Sequence, residues 1–445
     1  MERSLVAVLA GTFTLRFSTG LTGAMLGLYL ANLPKHGGPP VDATIVGLFA
    51  ATFYLAELVL SPIFGILSDR LGHHRVMLYG PIFGAVAVVL TGFTADLGLP
   101  APLAIILAPI SGSLIVLGVT RVLEGASTAA SVPSILGFIA LATAGNEALR
   151  GKAAARFEGA TLAGLGVGFI VAPKLFETIG PTAFFLNGAL YGVSFLVYWA
   201  GVKDPAGERE AVAAEHVGFS RYLDLIRSAH VLLLAPTWIA VNASIGLWFS
   251  QSLFQFSRPN PKFPEQVLMR GFDANQITVA AIAIAVVFGA GLLYWGNRFK
   301  SMRRTTIILY GILGGAVLVG AGLGVNHSDG LPITVPLGAG ILAGVGLFVL
   351  AGATPAALGL LADISERFPG DRGAIMGLYS VFLAIGQIAG SLIGGVAADW
   401  RGIDGMLLAT FALLAIAVVP LSRLRDQEHQ IDGTESPAFL GDVAR

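Results

Sequence analysis

Apolar stretches long enough to cross a membrane follow one another along almost the whole sequence. A spanning helix needs about 20 mostly apolar residues. The first stretch runs too far for a cleaved signal peptide, whose apolar core has about 7–15 residues, so we expect a membrane helix there. Prolines interrupt 98–112, which we interpret as an irregular lead-in to the fourth stretch. The pattern predicts an all-α polytopic membrane protein with twelve spans, at 5–33, 43–67, 76–97, 108–143, 155–178, 181–201, 230–256, 276–296, 305–325, 331–362, 373–398 and 403–422.

The composition agrees with a membrane protein and excludes several other classes. The chain is 55% hydrophobic and 12% charged, whereas a soluble domain is about 25% charged. Its formal net charge of zero provides no basic surface for nucleic acid. Because there is no Cys, disulfides, thiolate nucleophiles and iron–sulfur sites are excluded. No glycine-rich nucleotide-binding loop is found, and the His residues fall in loops or at span ends. We therefore expect no enzyme activity, no cofactor and no metal.

The basic residues are distributed unequally between the two sets of loops. By the positive-inside rule, the loops richer in Lys and Arg face the cytoplasm, so both termini are predicted to be cytoplasmic. The poorer set contains Lys35, Lys174, Arg258, Lys262, Arg270 and Arg401. The richer set contains Arg70, Arg75, Arg150, Lys152, Arg156, Lys203, Arg209, Arg221, Arg227, Arg298, Lys300, Arg303, Arg304, Arg367, Arg372, Arg423 and Arg425.

Two halves of the sequence share a spaced set of residues. Pro133, Arg150 and Gly151 recur 222 residues later as Pro355, Arg372 and Gly373. Two six-helix bundles in the same orientation form the parallel-repeat architecture of one transporter class. The sequence predicts an N-terminal bundle at 1–202 and a C-terminal bundle at 230–424, followed by a cytoplasmic tail at 425–445. The linker at 203–229 is either a helix in the headgroup plane or a solvated connection.

A short motif follows the second predicted span, at the turn into the third. Gly65 lacks a side chain, so a neighbouring helix can pack closely against it. Asp69 can cap the N-terminus of a facing helix, where the macrodipole favours an anion. Arg70 and Arg75 hold the turn in the anionic inner leaflet, and Gly72 permits a tight turn. The motif therefore predicts a turn at the membrane surface that can engage another helix.

The five residues of this motif resemble the signature of the major facilitator superfamily, G-x-x-x-D-R-x-G-x-x-R. Arg121, Gly125 and Pro133 match a second pattern of that family, in its fourth helix. The resemblance implies two bundles that rock about a central site. It also implies a conformational latch, with Asp69 facing the start of the eleventh helix near Gly373. The drug–proton antiporter motif of the fifth helix is matched only at two positions, Gly168 and Pro173. Exchange of drugs for protons is therefore left open but is not indicated by this motif.

Four ionisable residues lie deep within predicted spans: Arg16, Glu57, Arg121 and Glu124. Such groups are costly in a membrane unless they are paired or wetted, and they indicate function by default. Arg121 and Glu124 are three residues apart on one helix face and can pair. A buried carboxylate beside an Arg is suited to binding a proton. The alternative is a static ion pair for Arg121 and Glu124, and packing within the first half for Arg16 and Glu57.

The seventh predicted span carries a polar and aromatic stripe instead of charges. Ser244, Trp248, Gln251 and Gln255 recur at helical spacing, and Gln387 of the eleventh span is a further candidate. Such a stripe can line a substrate cavity. It can equally form hydrogen bonds between helices, and the sequence leaves both possibilities open.

These observations predict a secondary active transporter of a small organic solute that works by alternating access. We expect proton coupling through Glu124 or Glu57 with Arg121 as the switching partner, and export rather than import. The partners expected are a small-molecule or amphipathic lipid substrate, membrane lipids and the proton, with the protein a monomer. The alternative is a non-transporting scaffold, assembly factor or lipid-handling protein on the same fold.

Overall fold

The described part of the chain is built from α-helices joined by turns and short 3-10 segments. A computed structural model describes residues 2–96, 100, 102, 108–143, 147–203, 229–298, 302–366 and 372–432. Within these ranges, nine helical segments are long and apolar enough to cross a membrane. Two of the nine, Ala155–Gly201 and Ser380–Asp426, have 47 residues each, about twice the length of one crossing.

The helices follow the order of the predicted spans. The first half of the molecule, as we call it, contains α1 (Glu2–Ala31), α2 (Ala43–Leu71), α3 (His73–Met77), α4 (Tyr79–Phe93), α5 (Leu114–Ala142), α6 (Glu147–Ile179) and α7 (Ala183–Gly201). The second half contains α8 (Ala229–Phe256), α9 (Ala274–Arg298), α10 (Arg304–Asn326), α11 (Thr334–Leu350), α12 (Ala353–Glu366) and α13 (Arg372–Asp432).

The predicted fold class is confirmed, whereas the count of twelve spans stays a prediction. The irregular lead-in is present as turns at 108–112, just before α5. The tenth predicted span is present as the segment Thr334–Leu361, within which a turn at Ala351 and Gly352 separates α11 from α12. The tail predicted at 425–445 begins within a helix, since α13 continues to Asp432. Residues 204–228 of the predicted linker lie outside the described residues, and the bundle boundaries stay predictions.

Helix ends are fixed by local capping residues. The Asp42 side chain accepts a hydrogen bond from the Ile45 N–H at the start of α2, at 2.8 Å. Such a cap satisfies one of the four free N–H groups of a helix start. Gly72 ends α2 with φ 98°, which confirms the tight turn predicted for the motif. Gly402 has φ 60° and ψ −139° and divides α13 into two antiparallel segments, 372–400 and 403–432.

Each half is held together by helices that pack closely along each other. In the first half α1 packs along α6, and α2 packs along α5. In the second half α8 packs along α13, and α10 packs along α11. Gly125 of α5 permits one such approach, because a Cβ there would lie only 3.0 Å from the Glu57 backbone nitrogen of α2. Small residues are the usual means by which membrane helices approach each other.

The buried apolar residues form one shared core and two separate ones. The shared core joins Leu21 and Tyr29 of the first half to Leu247, Phe254 and Met406 of the second half. One separate core lies in the second half, around Trp238, Ile307 and Leu414. The other lies in the first half, around Met77, Phe138 and Tyr198. The two halves are therefore packed together at one end, which we call the sealed end, and have their own cores towards the opposite end.

Candidate functional site

The interface between the two halves is formed by α1, α2 and α6 on one side and by α8, α9 and α13 on the other. At the sealed end, a Cβ on Gly27 of α1 would lie 3.3 Å from the Leu253 side chain of α8. Phe169 of α6 meets Phe249 of α8 edge-on, with ring centroids 5.7 Å apart. These contacts show which face of each helix points at the opposite half.

Two charged residues lie on those faces, farther from the sealed end. Arg16 is eleven residues before Gly27, and Glu158 is eleven residues before Phe169. Eleven residues make three helical turns with about 20° left over, so each pair shares one helix face. The rise is about 16 Å in both helices. Arg16 and Glu158 therefore share the helix faces that point at the second half. Glu158 lies about 9 Å farther from the sealed end, because Gly164, six residues after it, is the residue that packs against Arg16.

Glu57 reaches about the depth of Arg16 from the antiparallel helix α2, since Glu57 packs against Gly125 of α5 and Arg16 bonds to Thr128 of the same helix. It lies fourteen residues after Ala43, whose backbone contacts the second half, and within about 40° of the same face. The Arg16 guanidinium is close enough to the Glu57 and Glu158 carboxylates for its charge to interact with both. Its Nη1 atom also donates to the Thr128 hydroxyl of α5 at 3.5 Å. We call Arg16, Glu57 and Glu158 the wall cluster.

Glu158 is a site residue that sequence reasoning missed. It stands three residues inside the predicted span 155–178, where a charge resembles an ordinary helix-end residue. The structure shows the Glu158 side chain as exposed and Arg16 as 9% exposed. The carboxylate therefore lies on the wall while the guanidinium lies behind it.

Arg121 and Glu124 form a salt bridge, as their spacing predicted, but the pair does not lie on the wall between the halves. Their side chains are 4% and 2% exposed, inside the first half. The Thr22 hydroxyl lies at the Glu124 carboxylate, and Thr22 also accepts a hydrogen bond from Asn187 at 2.7 Å. Glu124 Oε1 and Arg121 Nε and Nη2 are buried without a hydrogen-bond partner among the described residues. The pair is therefore strongly desolvated and lies within the first half, away from the space between the halves.

The polar stripe of α8 meets different partners along its length. Ser244 donates to the Ala240 carbonyl of its own helix at 3.1 Å. Trp248 donates to Thr410 of α13 at 3.0 Å. Gln251 donates at 2.9 Å to the Ala43 carbonyl of the first half, and Gln255 donates to Gln251 at 3.4 Å. Gln387 of α13 is buried against Gly246. A substrate role for these five residues stays a prediction.

The latch motif lies at the end of the molecule away from the sealed end. Asp69 is 52% exposed, and its carboxylate is 4.0 Å from the His73 ring. Gly65 faces Pro133 of α5, since a Cβ there would lie 3.8 Å from the Pro133 Cβ. The start of α13 at Arg372 and Gly373 is helical, but the side chains there lie outside the described residues. The latch role of Gly65, Asp69, Arg70, Gly72 and Arg75 stays a prediction.

The described residues contain no group of three or more His, Cys, Asp or Glu side chains able to hold a metal ion. What they do contain is a helical bundle whose halves share a core at one end, with charges of both signs on the first half. The comparisons with known proteins identify this bundle as a membrane transport protein and not an enzyme. The family model of the Major Facilitator Superfamily matches residues 8–352, and the chain belongs to that superfamily.

Similar proteins include bacterial resistance transporters. The chain is 26% identical over 385 residues to multidrug resistance protein 1 of Bacillus subtilis (strain 168), covering 85% of this chain and 86% of the relative. It is 21% identical over 405 residues to quinolone resistance protein NorA of Staphylococcus aureus (strain MSSA476), covering 90% and 91%.

Solved structures of two transporters have the same fold. The nucleoside transporter NupG superimposes with a TM-score of 0.68 and 13% identity, covering 96% of this chain and 99% of that chain. The peptide transporter POT in complex with sulfate gives a TM-score of 0.66 and 14% identity, covering 95% and 94%. The resemblance inferred from the signature motif is thereby confirmed.

Proposed function

We propose that this transporter is a proton-coupled exporter of small organic solutes, and that the wall cluster is its coupling site. One observation carries the proposal: Arg16, Glu57 and Glu158 come from three helices, and they are close enough together for the Arg16 charge to interact with both carboxylates. A charge within a membrane costs about 2.5–3.5 kcal/mol unless it is paired or wetted. A cluster of three such charges is consistent with a functional site rather than with packing.

The charge balance of the wall cluster favours a cationic solute. Two carboxylates and one guanidinium leave one negative charge, which either a proton or an organic cation neutralises. Binding one therefore disfavours binding the other, and that competition is the basis of exchange. The names of the relatives, multidrug and quinolone resistance proteins, support organic compounds as cargo and export as the direction.

Alternating access is supported by the unequal packing at the two ends. The halves share a core at the sealed end and have separate cores towards the other end. The loops near the sealed end belong to the set poor in Lys and Arg, including Lys35, Arg258 and Lys262. By the positive-inside rule the sealed end then faces outward, and both termini are cytoplasmic. The conformation described is accordingly one that is closed to the outside.

Arg121 and Glu124 are a second candidate for the coupling site. The unpartnered Glu124 Oε1 can accept a proton or a hydrogen bond, which supports the role expected from the sequence. They lie inside the first half, however, and a solute in the space between the halves does not reach them directly. The wall cluster is therefore the better-supported site.

The test is a proton flux measurement on the purified protein in liposomes that contain the pH dye pyranine. Ethidium, an organic cation, is added outside while valinomycin and potassium clamp the membrane potential. Exchange of ethidium for protons raises the internal pH, and protein-free liposomes give the background. We expect Glu57→Gln and Glu158→Gln to lower the initial rate at least about tenfold, as is typical when a group used in proton transfer is removed.

Glu177→Gln is the matched control. Glu177 lies on the same helix as Glu158, but its exposed carboxylate pairs with Lys174 at 2.7 Å at the sealed end. Its rate should equal that of the wild type. Ethidium uptake without a pH change would contradict proton coupling and indicate uniport. No uptake, together with no exchange between conformations, would favour the scaffold alternative.

A further inference from the structure

The Asp399 side chain, at the end of the first segment of α13, reaches across the interface to the start of α2. Its Oδ1 accepts a hydrogen bond from the Ala43 N–H at 2.9 Å. Its Oδ2 accepts two more, from the Thr44 N–H at 2.8 Å and from the Thr44 hydroxyl at 2.6 Å. One carboxylate of the second half thus makes three hydrogen bonds to two consecutive residues of the first half.

These bonds complete the N-terminus of α2. The first four N–H groups of a helix have no partner within the helix, and the helix dipole makes that end positive. Asp42 satisfies the N–H of Ile45 from within the first half. Asp399 satisfies those of Ala43 and Thr44 from the other half. The start of α2 is therefore fully capped by protein only while the two halves are together.

Two basic residues of the loop after α8 compensate the charges of Asp42 and Asp399. Arg258 donates to the Val41 carbonyl of the first half at 3.2 Å. Lys262 donates to the Asp399 carbonyl at 3.1 Å. Burial lowers the pKa of the Arg258 guanidinium, while the nearby Asp399 and Asp42 carboxylates raise it. The carboxylates are thus held at the interface without a large excess of negative charge.

We propose that Asp399 is the positioning residue that locks the sealed end, by capping a helix that belongs to the opposite half. The proposal rests on the proposed function in one respect, namely that the halves exchange between two arrangements. The signature motif implies that Asp69, at the other end of α2, caps the start of α13. Asp69 is 26 residues, or about 39 Å, from Ala43. Each helix then ends in a carboxylate that can cap its partner, and the transporter exchanges one cap for the other.

A second pair of helices, α6 and α9, also packs across the interface between the halves, but the ends of these helices are capped from within their own half. Glu177 at the end of α6 hydrogen-bonds to Lys174 of its own helix. The start of α9 is capped by Asp273 and Gln276, which bond to each other's backbone N–H groups at 2.9 and 3.1 Å. The lock therefore belongs to α2 and α13, and a substitution there should act on the sealed end specifically.

Distances between spin labels test the proposal in the full-length protein. The chain contains no Cys, so each pair of introduced cysteines is labelled without background. Lys35→Cys with Leu331→Cys places exposed labels on both halves at the sealed end. Lys203→Cys with Asn297→Cys does the same at the opposite end. Pulsed electron paramagnetic resonance in detergent then gives the populations of the two arrangements, with no substrate and no proton gradient.

Asp399→Asn is the first variant, because the amide keeps the size but presents an NH₂ group to the helix N-terminus. We expect the ratio of sealed to parted molecules to fall at least about tenfold, since charge-assisted hydrogen bonds are lost. Thr44→Val removes only the hydroxyl bond and should lower the ratio about threefold. Asp404→Asn is the control: that carboxylate lies five residues away and bonds to Asn326 and His327 of its own half.

Unchanged distances in Asp399→Asn, or an equal change in Asp404→Asn, would overturn the proposal. If Asp399→Asn does not fold, the threefold change in Thr44→Val decides, and its absence overturns the proposal. The outcome is independent of the flux measurement. Failure of proton coupling in liposomes leaves the label distances as expected, and loss of the lock leaves the coupling residues intact.

Discussion

Replacing Glu124 by Gln is expected to destabilise the protein by about 3–5 kcal/mol, the usual cost of breaking a buried ion pair by removing one partner. The Arg121 and Glu124 side chains are 4% and 2% exposed, so water cannot compensate the charge that remains. If the chain unfolds as one unit, the unfolding entropy of about 2.1 cal/mol/K per residue converts this loss into about 3–5 °C. Arg121→Met should cost a similar amount at pH 7.

Three further variants separate the pair from its surroundings. The double variant Arg121→Met with Glu124→Leu should be close to the wild type, because no unpaired charge is left. The cost of Arg121→Met should shrink as the pH falls, since a protonated carboxyl group needs no counter-ion. The cost of Glu124→Gln should not change, because Arg stays charged. Lys174→Met removes a pair of the same spacing that is 54% and 45% exposed, and should cost about 0–1 kcal/mol.

Thermal unfolding in one detergent, followed by the fluorescence of the five Trp residues, measures all of these variants. The reasoning is refuted if Glu124→Gln costs no more than Lys174→Met. It is also refuted if the double variant loses the sum of the two single losses, because the pair would then contribute through packing rather than charge.

Three other regions give expected outcomes of their own. Gly402→Ala should lower the free energy of unfolding by about 1–3 kcal/mol, because φ 60° with ψ −139° suits only glycine. The same unfolding assay measures it, and an unchanged midpoint would show that the backbone at this position can change its angles at no cost. Burial lowers the pKa of His36 below its ordinary value, so its titration followed by NMR should be centred below about 6.5. The neutral ring is favoured in the folded state, so its contribution to stability is present above the ordinary pKa and is lost as the pH falls towards the lowered one; His36→Gln should remove that part of the pH dependence. Asn187→Leu removes the hydrogen bonds that Asn187 donates to the Ser18 carbonyl at 3.0 Å and to the Thr22 hydroxyl at 2.7 Å. The loss should cost about 1–3 kcal/mol of stability. Asn32→Leu should cost less, because Asn32 donates a single side-chain bond at a half-buried helix end.

The fold class was predictable because apolar length alone shows where membrane helices lie and in which order they follow one another. The turn at Ala351 and Gly352 was not, since both residues are as apolar as the helices around them. Gly72 was correctly predicted as a turn because glycine adopts, without steric cost, the positive φ that a sharp reversal after a helix requires. The Gly402 break also falls between two predicted spans, where a loop was expected.

The site was predictable only where its partners are close in sequence. The Arg121–Glu124 pair follows from a spacing of three residues. Glu158 interacts with Arg16, 142 residues away, and Asp399 accepts hydrogen bonds from Thr44, 355 residues away, so no local pattern reveals either. For the polar stripe of α8, too, only the local part of the arrangement could be predicted. Helical spacing showed that Ser244 and Gln251 share a face, but not which neighbour each would meet.

The core shared by both halves has a thermal consequence for the transport cycle. Parting the sealed end exposes apolar side chains such as Leu247, Phe254 and Met406, and exposure of apolar surface raises the heat capacity. Closure of the opposite end buries apolar surface and lowers it. The heat-capacity change between the two arrangements is thus set by the difference between the apolar areas that are buried at the two ends. A logarithmic plot of the ratio of the two arrangements against inverse temperature should be curved, and the sign of that curvature identifies the end with the larger apolar seal.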